Sequence, residues 1–191
     1  MKTGLFFGSF NPIHIGHLAL ANYFIEFTGI DQLWFVISPH NPLKKKESLL
    51  TDQLRLDMVE LAIAEDERFE ACDIEFRMPQ PSYTIDTLTY LSEKNPKTEF
   101  YLIMGSDSLL HFHKWKNYDE IIQHYHRLIY PRFTSEKIDY KQHRNITVLE
   151  NAPRIEISSS FIRDALKKEA DIRHFLPSGV YHYIKKYALY H

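Results

Sequence analysis

Apolar residues in this chain fall into short runs, separated by longer stretches where apolar and polar positions repeat at helical spacing. Leu5–Phe7 is an apolar strand ending at Gly8, and Leu33–Ile37 (LWFVI) is a buried-type strand stopped by Ser38-Pro39. Phe100–Met104 (FYLIM) ends at Gly105, and Leu128–Tyr130 and Ile146–Leu149 are shorter strands. Residues 16–27 spell a helix with Leu18, Ala21 and Ile25 on one face. Thr51–Glu65 spells another, with Thr51 as N-cap and Leu54, Met58, Leu61 and Ala62 in register. Phe69–Arg77 alternates enough for one or two short strands, and Thr84–Lys94, Tyr118–His124, Ser159–Lys168 and Gly179–Tyr187 complete the helices. Strands alternating with helices predict an α/β fold, a parallel sheet with helices on both faces. Ligands of such sheets bind at the carboxyl ends of the strands, which makes the residues after each strand the first place to search.

Composition narrows the class. The 191 residues suit one domain, 1–191, with a small C-terminal helical portion from about 158 to 191. A hydrophobic fraction of 44% and a charged fraction of 25% are those of a globular chain. The net charge of −2 gives no whole-chain signal for nucleic acid. The N-terminus lacks the long apolar stretch of a secretory signal, and no run approaches the length of a membrane span. With one cysteine, Cys72, there is no internal disulfide framework, and a cytoplasmic protein is expected. The 27 aromatic residues are compatible with a homo-oligomer without showing one. Glycine is scarce, with six present, so each bears on where the backbone needs room.

Three of the six fall where strands end. After the first strand come Gly8-Ser9-Phe10-Asn11-Pro12-Ile13-His14-Ile15-Gly16-His17. Gly8 would permit a tight turn. His14 and His17, three apart at a helix start, share a face, and Gly16 removes a side chain where a ligand could approach. Free N–H groups at a helix start suit phosphate, and two imidazoles could donate to phosphoryl oxygens. An isolated H-x-x-H is equally an incidental pair on a surface helix. The zincin spacing H-E-x-x-H is not met, and no third metal ligand is signalled.

In the second half, Ile157-Ser158-Ser159-Ser160-Phe161-Ile162-Arg163 opens a helix. Taken alone, it reads more readily as a cap of serines with a solvated arginine than as a phosphate site. The Walker A pattern is absent, which excludes a P-loop enzyme.

Together the two strings resemble the nucleotidyltransferase superfamily, which carries H-x-G-H after the first strand and I-S-S-T-x-I-R near the end; Ser160 stands here for the threonine. Pro81-Ser82-Tyr83-Thr84-Ile85-Asp86-Thr87-Leu88, Ile103-Met104-Gly105-Ser106-Asp107-Ser108-Leu109 and His113-Lys114-Trp115-Lys116 resemble elements of the bacterial nicotinate-mononucleotide adenylyltransferases. The matches span nearly the whole chain in order. The resemblance implies a Rossmann-like fold and adenylyl transfer from ATP to nicotinate mononucleotide, with Mg2+ carried by the phosphates rather than held in a dedicated carboxylate cage. It implies ATP contacts at Gly8, Ser9, Phe10, His14, Gly16, His17, Gly105, Asp107, Ile157, Ser158, Ser159, Ser160 and Arg163. For the mononucleotide it implies Ser9, Asn11, Lys44, Tyr83, Thr84, Asp107, Trp115, Lys116 and Arg132, with Trp115 stacked on the ring. Catalytic roles fall to His14, His17, Lys44 and Arg163. The chain departs from the family pattern at Phe7, at Asn11 (commonly aspartate), at Leu43 in the P-P-H-K loop and at Phe133-Thr134 after Arg132. The same chemistry on nicotinamide mononucleotide, or a non-catalytic nucleotide-binding role, are the competing readings.

Overall fold

The computed structural model describes residues 1–39, 49–132, 138–140 and 143–190. Lys44 and Leu43, and Phe133-Thr134, lie outside the described residues. Strands β1 (Lys2–Gly8), β2 (Gln32–Ile37), β3 (Phe69–Cys72), β4 (Glu99–Gly105), β5 (His126–Tyr130) and β6 (Ile146–Val148) form one sheet in the order β3-β2-β1-β4-β5-β6. Every neighbouring pair is parallel. The order reverses between β1 and β4, so the connections leaving these two strands diverge and open a crevice at their carboxyl ends.

The two faces follow from the alternation of side chains along each strand. Phe6, Phe35, Ile103 and Leu128 point into one core, where they meet α1 (Ile15–Thr28), α2 (Asp52–Ile63), α6 (Ser159–Lys167) and α7 (Ser178–Lys186). Leu5, Val36, Leu102 and Ile129 point into the other, against α3 (Thr84–Lys94), α4 (Ser106–Leu110) and α5 (Tyr118–His124). Thr51 caps α2 by accepting from the Leu54 amide at 3.5 Å, as its position before the apolar stripe predicts. Among the described residues, no helix is long and apolar enough to cross a membrane.

Several local readings are corrected. The α1 face turned to the core is Gly16, Leu20, Ala21 and Phe24, leaving Leu18 and Ile25 only half-buried. In α2 the buried stripe is Arg55, Leu56, Met58, Val59 and Ile63, while Leu61 is 42% exposed. Residues Ile74–Arg77 form a short 3-10 helix, not a second strand. Helix α4 abuts β4 directly and leaves no break in the apolar pattern to announce it.

Leu88 is fully buried in the α3 core. Leu88→Ala should lower unfolding stability by about 2–5 kcal/mol, and Leu61→Ala by less than about 1, in chemical denaturation followed by circular dichroism.

Candidate active site

The chain leaves β1 at Gly8 and enters α1 at Ile15, and this connection is built around a buried arginine. Arg55 is fully buried. Its Nη1 donates to the carbonyls of Ser9 at 2.7 Å and Ser38 at 2.8 Å, and its Nε to that of Leu50 at 3.2 Å. Its Nη2 reaches Pro39 O at 3.4 Å and the Asp52 carboxylate at 2.6 Å. One guanidinium thus gathers the exits of β1 and β2 and the approach to α2. Sequence reasoning missed it. The usable signal was a charge at the first position of an i, i+3, i+4, i+8 stripe with Met58, Val59 and Ile63.

Left-handed backbone in this loop falls on Phe10 (φ 43°), not on Gly8. Gly8 is required instead by close approach: a Cβ there would lie 2.8 Å from the Phe10 ring, which is packed in the core. His14 is 4% exposed and its ring stacks on that of His17, with centroids 3.7 Å apart. The His14 amide donates to His17 Nδ1 at 3.3 Å. In neutral His17 the accepting Nδ1 leaves the hydrogen on Nε2, so that nitrogen is a donor. Burial, joined by the Arg132 guanidinium, lowers the His14 imidazole to about 4.

The C-terminal elements close over this loop. Ser158 caps α6 by accepting from the Phe161 amide at 3.1 Å. Ser159 Oγ donates to Pro12 O at 2.9 Å, and Arg163 donates to Asn11 O at 2.8 Å and to Ser160 Oγ at 3.2 Å. Asn11 Oδ1 accepts from the Leu50 amide at 3.3 Å and the Tyr190 hydroxyl at 2.8 Å. Burial pushes the Tyr190 phenol well above its ordinary value, which keeps it a donor.

Across the crevice, Asp107 Oδ2 accepts from Arg132 Nη1 at 3.2 Å. Ser106 Oγ accepts from the Arg132 amide at 2.9 Å. A Cβ on Gly105 would sit 2.4 Å from Asp107 Oδ1, so a larger residue there would displace the Asp107 side chain from this pairing. Further out, Lys116 Nζ bridges the Asp86 carboxylate at 2.8 Å and lies 4.8 Å from the Tyr83 ring centroid. The fully buried Thr87 and the buried Ser82 donate to the buried Glu75 carboxylate at 2.8 and 2.9 Å and tie the start of α3 to the 3-10 helix.

These groups line two adjoining cavities. The first, about 770 Å3, runs from the β1 exit past His14, Gly16 and His17 to Ile157–Ser160 and Arg163. The second, about 480 Å3, is lined by Tyr83, Thr84, Trp115 and Lys116. Gly8, Ser9, Asp107 and Arg132 border both. Of the residues expected around ATP, Gly105 borders the second cavity but not the first; of those expected around the mononucleotide, Asn11 borders the first but not the second. Tyr130 and the wall Pro153–Glu156 line the site without having been singled out in the sequence. Among the described residues, no group of three or more His, Cys, Asp and Glu side chains gathers to hold a metal.

Comparison with known proteins gives the geometry a family. The profile of the cytidylyltransferase-like family matches residues 5–165. The probable nicotinate-nucleotide adenylyltransferase of Flavobacterium johnsoniae is 50% identical over 186 residues, covering 96% of each chain. That of Cytophaga hutchinsonii is 49% identical over 180 residues, covering 94% of this chain and 93% of its own. The chain belongs to the nicotinate-nucleotide adenylyltransferase family. Its fold matches that of the Plasmodium falciparum nicotinic acid mononucleotide adenylyltransferase solved with NaAD, at a TM-score of 0.80 and 24% identity over 99% of this chain and 97% of that one. The Rossmann-like nucleotidyltransferase fold expected from the two motifs is therefore the fold observed.

The buried His14 gives this adenylyltransferase-family chain a specific acid sensitivity. Its folded-state value lies below its unfolded one, so the unfolded chain binds the extra proton between about pH 6.5 and 4, and stability falls as pH drops through that window. His14→Gln should be less acid-sensitive than the wild type there by about 2 kcal/mol, measured by urea unfolding at pH 7 and pH 4.5.

Proposed function

We propose that the chain joins ATP and nicotinate mononucleotide to give deamido-NAD and pyrophosphate, a step of NAD biosynthesis. The observation that carries this reading is the pair of adjoining cavities at the β1 and β4 exits, one beside the H-x-G-H histidines and the α6 serines, the other beside Trp115 and the start of α3. Two nucleotides seated in them would bring an acceptor phosphate and an α-phosphoryl group together at the shared wall. We read residues 1–191 as one catalytic unit, completed by its helical part from about 158. The free, buried Cys72 fits a cytoplasmic setting.

In this mechanism a 5′-phosphate oxygen of the mononucleotide attacks the α-phosphorus of ATP in line. A phosphorus–oxygen bond forms to the acceptor, the bond from the α-phosphorus to the bridging oxygen breaks, and pyrophosphate leaves with the electron pair. The nucleophile is already anionic, so the protein supplies position and neutralisation of charge rather than a covalent intermediate. His14 and His17 act as neutral donors to the phosphoryl oxygens. At about 4, the His14 imidazole carries no charge at neutral pH. Arg163, with Lys44 and the N-terminus of α6, holds the triphosphate, and Arg132 the acceptor phosphate. Asp107 accepts from ribose hydroxyls. Tyr83, Thr84 and the Lys116 backbone take the nicotinate carboxylate, and the Trp115 ring stacks on the pyridine. A Mg2+ ion carried by ATP would need no carboxylate cage from the protein and would offset the charge of the triphosphate.

The deciding assay measures pyrophosphate release from ATP with nicotinate and nicotinamide mononucleotides side by side. Turnover of the nicotinate compound is expected to dominate; release with neither refutes the reading. His17→Ala should lower kcat by about 100-fold or more with an unchanged circular-dichroism spectrum. Trp115→Ala should raise KM for the mononucleotide by about tenfold and leave that for ATP within about twofold, read from initial rates with each substrate varied in turn.

A further inference from the structure

Reaction between molecules in two cavities must occur where the cavities meet. Besides Gly8 and the Phe6 and Phe7 rings, four described residues border both: Ser9, Asp107, Tyr130 and Arg132. Arg132 is ion-paired with Asp107 at 3.2 Å, and the Ser9 carbonyl is turned inward to Arg55. Tyr130 stands apart. It is the last residue of β5, pairing with Gly105 at the end of β4, and so sits beside the topological reversal. Its ring is held edge-on by Phe6 and Phe24, each with centroids 6.0 Å away, and the residue is 8% exposed. Its hydroxyl makes no hydrogen bond to another described residue. It is near enough to Arg132 and Asp107 for both charges to act on its ionisation, and burial, the largest influence, raises its pKa. A rigid, protonated donor with no described partner is therefore held where the two cavities meet.

We propose that the Tyr130 hydroxyl is a catalytic hydrogen-bond donor to a non-bridging oxygen of the transferring α-phosphoryl group. The proposal rests on the adenylyl-transfer reading. Tyr130 keeps its proton throughout: the acceptor oxygen bonds to the α-phosphorus, pyrophosphate departs with the electron pair, and the hydroxyl stabilises charge that builds on the equatorial oxygen between the two events. Such a donor contributes most in the transition state and little to ground-state binding. A phenylalanine at 130 would keep the ring contacts and lack only the donor.

The test uses the intact enzyme. Tyr130→Phe should lower kcat by about 10- to 100-fold, with both KM values within about threefold of wild type. The two diastereomers of α-thio-ATP, each with sulfur in place of one non-bridging oxygen, then report contact. With the diastereomer that replaces the oxygen met by Tyr130, wild type and variant should converge to within about threefold, while the other should show the full loss. Wild-type turnover in Tyr130→Phe overturns the proposal. An equal loss with both diastereomers also overturns it, since a purely structural defect would not distinguish them. Failure of the underlying reading shows separately, as a wild-type enzyme that releases no pyrophosphate from ATP and nicotinate mononucleotide.

Discussion

A buried guanidinium, that of Arg55, is the constraint on which the site depends. A parallel sheet ends in loops whose carbonyls need partners once helices cover them. Arg55 satisfies the carbonyls of Ser9, Ser38 and Leu50 at once, and Asp52 balances its charge. Turning the Ser9 carbonyl inward also fixes the neighbouring amide. In a planar trans peptide the C=O and the next N–H point in opposite directions, so the Phe10 N–H is turned away from Arg55. The same contact that neutralises the loop's interior therefore sets which backbone groups it presents on its other side. Deleting such a charge would leave several part-buried carbonyls without their partner together, which makes the arginine hard to replace although it borders neither cavity.

The electrostatics are local. A chain of net charge −2 concentrates positive potential by placing Arg132 and Arg163 and the starts of α1 and α6 around one crevice. The histidines contribute differently. With its imidazole held near 4, His14 offers hydrogen-bonding capacity without a permanent charge, which suits a site that must also release a charged product. Asp107 tempers Arg132 across the shared wall, so the second cavity is not uniformly positive.

Much of the fold was legible because the strands are either continuous apolar runs or end at turn residues, and because Thr51 and Ser158 mark helix starts. Thr84–Lys94 and Tyr118–His124 form helices with the bounds their patterns suggest. Misreadings arose where tertiary partners overrule local periodicity. Leu61 looked like core and is exposed, while Arg55 is buried because its partners at 9, 38, 39 and 50 are brought to it by the sheet. Within the site, the motif residues His14, His17, Ser158–Ser160 and Arg163 are drawn around one cavity by the strand order, which no window of sequence contains. Tyr130 carries no motif at all. Its interest comes from being the last residue of a strand beside the reversal, a property of topology rather than of the residues around it.

The bonds from Ser159, Arg163 and Tyr190 to Pro12 and Asn11 join chain segments separated by some 150 to 180 residues. Such long-range closure is costly in chain entropy. During synthesis, the loop after the first strand leaves the ribosome early and must wait, incompletely anchored, until the residues around 159–190 follow. Completion of the first loop in this architecture is therefore tied to the synthesis of α6 and the segment after it, and a nascent chain stalled before α6 would expose a sheet with that loop unfinished.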